Sequence, residues 1–211
     1  ELRCGLLETT WIAAELVDSE KGPGKPAVAV DAAGFPSVFY AQLAGEPPAR
    51  TSHFTRAYKD GTGWHIEQLD AGSPTGRFCA AAGGSQLACA YAAEEGQALG
   101  ALRFGNYDPG TGWSWFTAAE DMAASFNRVA LALNPLDQQP CLAYLRDPDG
   151  QGTAWSAVCT RLSGGTWPVE TIEPLAASCD VAFGADGNPW IAAGVGGGDG
   201  GFGPVALWLH H

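Results

Sequence analysis

The chain has 211 residues, enough for one domain with a full core, and 46% of them are hydrophobic while 16% are charged. This globular composition, with 29 glycines and 14 prolines against one methionine, favours short strands and turns over long helices. The formal charge of −12 disfavours nucleic acids and anionic membranes as partners, and no apolar run is long enough to predict membrane insertion.

The predicted strands begin with two N-terminal segments, residues 1–7 and 11–17. Four extended segments follow and form the first complete unit: residues 27–31, 36–42, 52–58 and 64–70. Turns rich in glycine or proline join these segments, as antiparallel hairpins require. Later parts of the chain repeat this order of segments, and the count reaches about seventeen strands.

Two sequence markers recur with a period of about fifty residues. A tryptophan follows a tight turn at Trp11, Trp64, Trp113 and Trp167, with spacings of 53, 49 and 54 residues. A strand–turn–strand segment ends at Tyr40, Tyr91, Tyr144 and, in the fourth copy, Ala193, with spacings of 51, 53 and 49 residues. Since two independent markers keep one period, the sequence predicts repeats at about 11–63, 64–112, 113–166 and 167–211.

Four antiparallel strands per unit, repeated about four times, predict an all-β fold and a β-propeller of four blades, with five blades as the alternative. The chain is then a single propeller domain, 1–211. We expect first strands near residues 27–31, 77–82, 128–133 and 179–183 to be innermost. Seventeen strands are one more than four blades need, so we expect the strand after Trp11 to complete the last blade and close the ring, with residues 1–10 as an extra or closing strand.

The turns at residues 60–64 and 108–113 resemble the Asp-box repeats of sialidase-like β-propellers. In that family the pattern is Ser/Thr-x-Asp-x-Gly-x-Thr-Trp, and this chain carries a degenerate form of it in all four units. The resemblance implies a propeller fold and no activity, because the box is a structural turn. Sialidases bind substrate through three arginines at non-equivalent positions, whereas Arg56, Arg103 and Arg161 lie at corresponding third-strand positions or close to them.

The eight tryptophans divide into two groups. The repeat tryptophans, Trp11, Trp64, Trp113 and Trp167, are predicted to be structural and to pack between neighbouring blades, where large aromatic side chains bury much apolar area. The others are the candidate ligand-binding residues, since aromatic faces stack against the C–H groups of sugars; they are Trp115, Trp155, Trp190 and Trp208.

Six cysteines without a C-x-x-C pair favour disulfides over zinc. Cys79 and Cys89 are symmetric about residue 84, and Cys141 and Cys159 about residue 150; both centres lie in predicted turns. Each pair is therefore predicted to be opposed in a hairpin and bonded. By elimination, Cys4 and Cys179 form the third pair. Disulfides in turn predict a secreted, periplasmic or cell-surface protein.

No catalytic constellation is found in the sequence, so an enzyme is not expected, and neither is a cofactor. Asp147 and Asp149 resemble part of a calcium loop but are explained more simply by a hairpin turn. The function predicted first is a secreted propeller that binds carbohydrate or a protein partner. The alternative is a structural subunit of an extracellular assembly or homo-oligomer, joined through an end strand, and a sialidase-like glycoside hydrolase is third.

Overall fold

The computed structural model describes residues 2–7, 11–18, 25–45, 51–70, 73–95, 98–120, 125–147, 155–196 and 202–209. These ranges contain 17 strands, and every named element is a strand, so the predicted all-β class is confirmed. Within these ranges there is no helix with the length and apolar character to cross a membrane.

An N-terminal hairpin and four antiparallel sheets contain all these strands, and each sheet runs in chain order. The N-terminal hairpin consists of β1 (Leu2–Leu7) and β2 (Trp11–Asp18). The first sheet consists of β3 (Ala27–Val30), β4 (Pro36–Ala44), β5 (Thr51–Asp60) and β6 (Gly63–Asp70). The second sheet consists of β7 (Ser73–Gly83), β8 (Gln86–Glu95), β9 (Ala98–Asp108) and β10 (Gly112–Glu120).

The third sheet consists of β11 (Ser125–Leu133), β12 (Pro140–Asp147), β13 (Ser156–Arg161) and β14 (Val169–Glu173). The fourth sheet has three strands, β15 (Ala176–Phe183), β16 (Pro189–Gly196) and β17 (Phe202–Leu209). The first strands of the sheets overlap the predicted ones, although β7, β11 and β15 begin three or four residues earlier. They contact each other in sequence, β3 with β7, β7 with β11, and β11 with β15. Each sheet therefore meets the next along its first strand.

Side-chain acceptors close the tight turns that separate the strands. Between β5 and β6, Asp60 Oδ1 accepts hydrogen bonds from the Thr62 amide and hydroxyl, both at 2.7 Å. Between β9 and β10, Asp108 Oδ1 accepts from the Gly110 amide at 2.8 Å and from the Thr111 amide at 3.0 Å. Asp60 and Asp108 thus stabilise turns, as aspartate commonly does.

The core lies between the sheets and is built mainly from their second strands. Tyr40, Tyr91 and Tyr144, the repeated tyrosines of the sequence, are completely buried, and Ile191 of β16 is completely buried as well. The second strands of the first three sheets are covered on both faces, so their central residues are buried without alternation, as in residues 140–145 of β12. In β16, by contrast, buried Ile191 and Ala193 flank half-buried Ala192, and Trp190 is exposed.

The predicted hairpin disulfide between Cys79 and Cys89 is wrong. In the β7–β8 ladder Cys79 pairs with Ala90, and Cys89 pairs with Ala80. A two-residue turn between Gly83 and Gln86 shifts the centre of the hairpin by half a residue from the predicted one. The two cysteines therefore point to opposite faces of the sheet, where no bond can form between them.

The second predicted disulfide is also absent, although its cysteines lie close together. Cys141 pairs with Arg161 and Cys159 pairs with Ala143, so the two cysteines are diagonal neighbours on one face. Their sulfur atoms are 3.3 Å apart, against about 2.05 Å in a disulfide bond, and both are free thiols. Cys179 is a free thiol too, so the predicted bridge to Cys4 is not formed; the side chain of Cys4 lies outside the described residues.

Ring closure through β2 stays a prediction. The described ladders pair β2 with β1 and β17 with β16, and none of them joins β2 to β17. The end of β2 is attached to the first sheet instead, since the hydroxyl of Tyr40 donates to Asp18 Oδ2 at 2.7 Å and Gln42 Nε2 donates to the same atom at 3.0 Å.

Candidate binding grooves between the sheets

The junction of the first and second sheets is filled by a tryptophan and an ion pair. Trp113, at the start of β10, packs edge-on against Phe39 with ring centroids 5.9 Å apart, and its Nε1 donates to Glu67 Oε1 at 3.1 Å. Arg56 Nη1 donates to the same carboxylate oxygen at 3.0 Å, and its Nε and Nη2 donate to Ser37 Oγ. The buried guanidinium is thus satisfied within the junction, which leaves little of it for a ligand.

The junction of the second and third sheets is open. Trp167 precedes β14 as Trp113 begins β10, and it packs edge-on against Phe104 at 5.2 Å. Phe104 stands where Arg56 stands in the first sheet, so the Arg56–Glu67 ion pair has no counterpart at this register position. A groove of about 660 Å³ remains beside the indole. We call it the Trp167 groove; the polar side chains that line it are those of Thr117, Glu120, Tyr144, Arg146 and Thr166.

The Trp167 groove combines an aromatic surface with charged and hydroxyl groups. The indole is half-buried, Glu120 and Thr117 are exposed, and Arg146 is partly exposed. Burial raises the pKa of Tyr144 to about 12, so its hydroxyl stays protonated at neutral pH. A carboxylate, a guanidinium and hydroxyls around one aromatic ring can donate to and accept from the hydroxyl groups of a polyol while its C–H groups pack on the ring.

A second groove, of about 850 Å³, lies along the third sheet where it faces the β15–β16 turn. Glu170 and Cys159 line it and pair across β13 and β14, as Glu67 and Arg56 pair across β5 and β6. The opposite wall includes Asp137, whose Oδ2 lies 3.7 Å from Arg161 Nη2. A hydrogen bond from the Cys141 thiol lowers the pKa of Cys159, so the groove contains one thiol that ionises more readily than usual.

Trp115, a candidate ligand-binding residue, lies in the core between the first and second sheets. Its ring is edge-on to Phe54 and to Tyr91, with centroids 6.0 and 6.1 Å apart, and it stacks on Trp113 at 5.6 Å. A Cβ atom at Gly105 would lie 2.6 Å from this ring, so the glycine provides the space that the indole occupies. Little of the Trp115 surface is left for a sugar.

The other candidate tryptophans differ in exposure. Trp155 is half-buried and packs against the cluster formed by β12, β13, β15 and β16, and its carbonyl accepts from the Ala176 amide at 2.7 Å. Trp190 is 39% exposed on β16, outside both grooves. The side chain of Trp208 lies outside the described residues. The three candidates whose side chains are described, Trp115, Trp155 and Trp190, are not brought together in one site.

The repeat tryptophans have different surroundings. Trp64 packs against Val38, Tyr40 and Ala57 of its own sheet, whereas Trp113 and Trp167 contact the preceding sheet. The side chain of Trp11 lies outside the described residues. Sequence reasoning assigned Trp167 to packing alone and missed Thr117, Glu120 and Arg146, because residues from β10, from β12 and from the segment before β14 have no characteristic spacing in the chain.

Metal ligation has no support in the part of the chain that the structure describes. No group of three or more His, Cys, Asp or Glu side chains there could hold a metal ion. Asp147 is completely buried at the end of β12, and Asp149 lies outside the described residues.

Comparisons with known proteins show a fold and no family. No protein-family model matches the chain, and no curated protein matches it. The chain is similar to the crystal structure of an unknown function protein from Dyadobacter fermentans DSM 18053, with a TM-score of 0.63 and 15% identity. The match covers 95% of this chain and 64% of that protein, so the chain spans somewhat less than two thirds of its length. At this identity the similarity shows a common fold alone.

Proposed function

We propose that this chain is a small β-propeller with degenerate Asp-box turns, most simply of four blades, that has no catalytic activity and binds carbohydrate between its blades. Three features support the architecture. The four sheets have the same strand order, their first strands contact each other in sequence, and aspartates close the turns before the tryptophan strands of the first two sheets.

The Trp167 groove is the observation that carries the proposal. The equivalent junction of the first and second sheets is filled by Trp113, Arg56 and Glu67, whereas this junction leaves about 660 Å³ beside a half-buried indole. Exposed Glu120 accepts hydroxyl protons and Arg146 donates to sugar oxygens, while the ring covers an apolar sugar face. This combination suits a neutral sugar better than an apolar ligand, because a sugar offers hydroxyl groups to the exposed Glu120 carboxylate as well as an apolar face to the indole.

The experiment is a glycan array with the wild-type chain, followed by calorimetric titration of the strongest binder. We expect Glu120→Gln to weaken binding about tenfold, which corresponds to about 1.4 kcal/mol, and Trp167→Ala to abolish it. Trp190→Phe, a change at an exposed tryptophan outside the groove, is the matched control and leaves affinity unchanged. Circular dichroism verifies folding; because Glu120 is exposed, its variant remains informative if Trp167→Ala unfolds.

Two outcomes would contradict the carbohydrate proposal. One is a wild-type chain that binds no glycan. The other is equal affinity of wild type, Glu120→Gln and Trp190→Phe for a glycan that does bind. A secreted, periplasmic or cell-surface location remains a prediction, and the free hairpin cysteines remove the disulfide argument for it.

A second candidate function is that of a structural subunit joined to a neighbour through β17. Val205 and Leu207 on this strand are 73% and 63% exposed, and β17 is the last strand of the fourth sheet. An edge strand with apolar side chains can add to the sheet of another chain through main-chain hydrogen bonds. This function uses a different surface from the Trp167 groove, so the two can be tested separately.

A further inference from the structure

A third cavity, of about 300 Å³, lies where first strands of successive sheets meet. It is lined by Lys25, Phe78, Arg128, Cys179 and Asp180, together with residues 129–130. It shares no lining residue with the Trp167 groove. Its lining includes two basic residues, Lys25 and Arg128, and one acidic residue, Asp180. The cavity is therefore more basic than the whole chain, which has 11 basic and 23 acidic residues.

The basic residues at this cavity occupy a sequence position that recurs from sheet to sheet. In each sheet one first-strand residue pairs with the residue just before the end of the strand–turn–strand segment. The pairs are Ala27–Phe39, Cys79–Ala90, Ala130–Ala143 and Asp180–Ala192. Two positions before these first-strand residues are Lys25, Arg77, Arg128 and Ser178. Three of four equivalent positions are therefore basic. Core packing gives no reason for such a choice.

The backbone of Arg128 is held in an unfavourable conformation beside the cavity. Its φ of 45° lies in the left-handed region, which is uncommon for residues other than glycine. A register irregularity between Asn127 and Ala130 interrupts the β11–β12 ladder at this point, and the Cys179 thiol donates to the Arg128 carbonyl at 3.3 Å. Residues kept in strained conformations cluster at functional sites, where the strain fixes a side chain for its task.

We propose that this cavity binds a small organic anion through a carboxylate or phosphate group. The guanidinium of Arg128 and the ammonium of Lys25 supply the positive charge that attracts the anionic oxygens. Asp180 Oδ1 already accepts from the Val181 amide at 2.9 Å, so its carboxylate is partly occupied by its own backbone and its other oxygen can accept from a hydroxyl of the ligand. A volume of about 300 Å³ limits the ligand to a small molecule.

The test is calorimetric titration of the whole chain with citrate and with inorganic phosphate, at low and at high salt. We expect at least one of the two anions to bind wild type, with an affinity that falls as salt rises. Arg128→Gln and Lys25→Gln each weaken that binding about tenfold or more. The matched controls remove one cation outside the cavity, through Arg103→Gln on β9 and Lys59→Gln on β5, and change affinity less than twofold.

A second variant separates binding from folding. Arg128→Gly accommodates the positive φ without a side-chain clash, so we expect its melting temperature to equal or exceed that of wild type while anion binding is lost. The proposal is overturned if neither anion binds wild type, if the controls weaken binding as much as the cavity variants, or if Arg128→Gly unfolds the chain and Arg128→Gln binds normally. These outcomes do not depend on whether the Trp167 groove binds sugar.

Discussion

At the scale of single residues, the repeated tyrosines are the clearest link between sequence pattern and structure. The completely buried Tyr40 donates its hydroxyl proton to Asp18, which is itself 8% exposed. The bond connects the N-terminal hairpin to the first sheet. Sequence periodicity identified this tyrosine but not its partner, because Asp18 precedes the first sheet and no local spacing relates the two residues.

Removing this hydroxyl should destabilise the chain. We expect Tyr40→Phe to lower the free energy of unfolding by about 1–3 kcal/mol, since it leaves a buried carboxylate with one fewer donor. Urea denaturation at pH 7 measures the change. Tyr58→Phe is the matched control, because that half-buried ring stacks on His65 and contacts Arg56 through its face, and it should cost less than about 0.5 kcal/mol.

The same bond gives a pH dependence with a definite sign. Burial first, and then Asp18, raise the pKa of Tyr40 above its ordinary value of about 10. The unfolded chain therefore loses this proton before the folded chain does, so the contribution of Tyr40 is complete below pH 10 and is lost as pH rises beyond it. The decline should be less steep in Tyr40→Phe. Equal slopes in the two proteins would contradict the assignment.

At the scale of elements, strands and turns could be predicted, while the faces of their residues could not. The β7–β8 hairpin shows why: its turn spans Gly84 and Ser85, and symmetry about residue 84 would have needed an odd number of turn residues. Moving the centre of a hairpin by half a residue shifts the pairing of its strands by one residue, and this places every side chain of one strand on the other face of the sheet. In the β12–β13 hairpin the observed centre differs from the expected one by a full residue, so the pairing shifts by two residues. Cys141 and Cys159 therefore stay on one face as diagonal neighbours.

This difference in register predicts selective oxidation. With sulfur atoms 3.3 Å apart, Cys141 and Cys159 should form a disulfide under a mild thiol oxidant such as diamide. The bond would close a loop of about 18 residues and raise the free energy of unfolding by about 3 kcal/mol. Non-reducing peptide mapping detects it. Cys79 and Cys89, on opposite faces of their sheet, are the internal control and should stay unlinked; a Cys79–Cys89 bond, or none at 141 and 159, would show that the register is wrong.

At the scale of the whole molecule, the fifty-residue period predicted the four successive sheets because each sheet is one copy of the unit. It could not predict the grooves. At the Trp167 groove, Phe104 stands in place of an arginine, so the junction lacks the ion pair that fills the preceding one. A comparison of the features that the repeats share does not detect such a difference between sheets. Candidate sites in repeated folds are therefore best sought where one copy departs from the others.

The pairing of the end strands β2 and β17 decides between a closed ring and an assembly of several chains. Asp18 at the end of β2 bonds to the first sheet, and the fourth sheet has three strands among the described residues. If β2 completes the fourth sheet, the ring is closed as the sequence predicts. If β17 pairs instead with a strand of another molecule, the chain is a subunit of an assembly.

Introducing lysines on β17 distinguishes these two arrangements. If β17 forms an intermolecular contact, we expect the wild-type chain to self-associate in sedimentation velocity, and Val205→Lys with Leu207→Lys to make it monomeric, because lysine on an edge strand opposes pairing between sheets. Leu136→Lys is the matched control, since Leu136 is 69% exposed in the β11–β12 turn and not on an edge strand; it should leave the association unchanged. A wild-type chain that stays monomeric up to about 100 µM would refute the assembly and leave the edge of β17 to pairing within the chain.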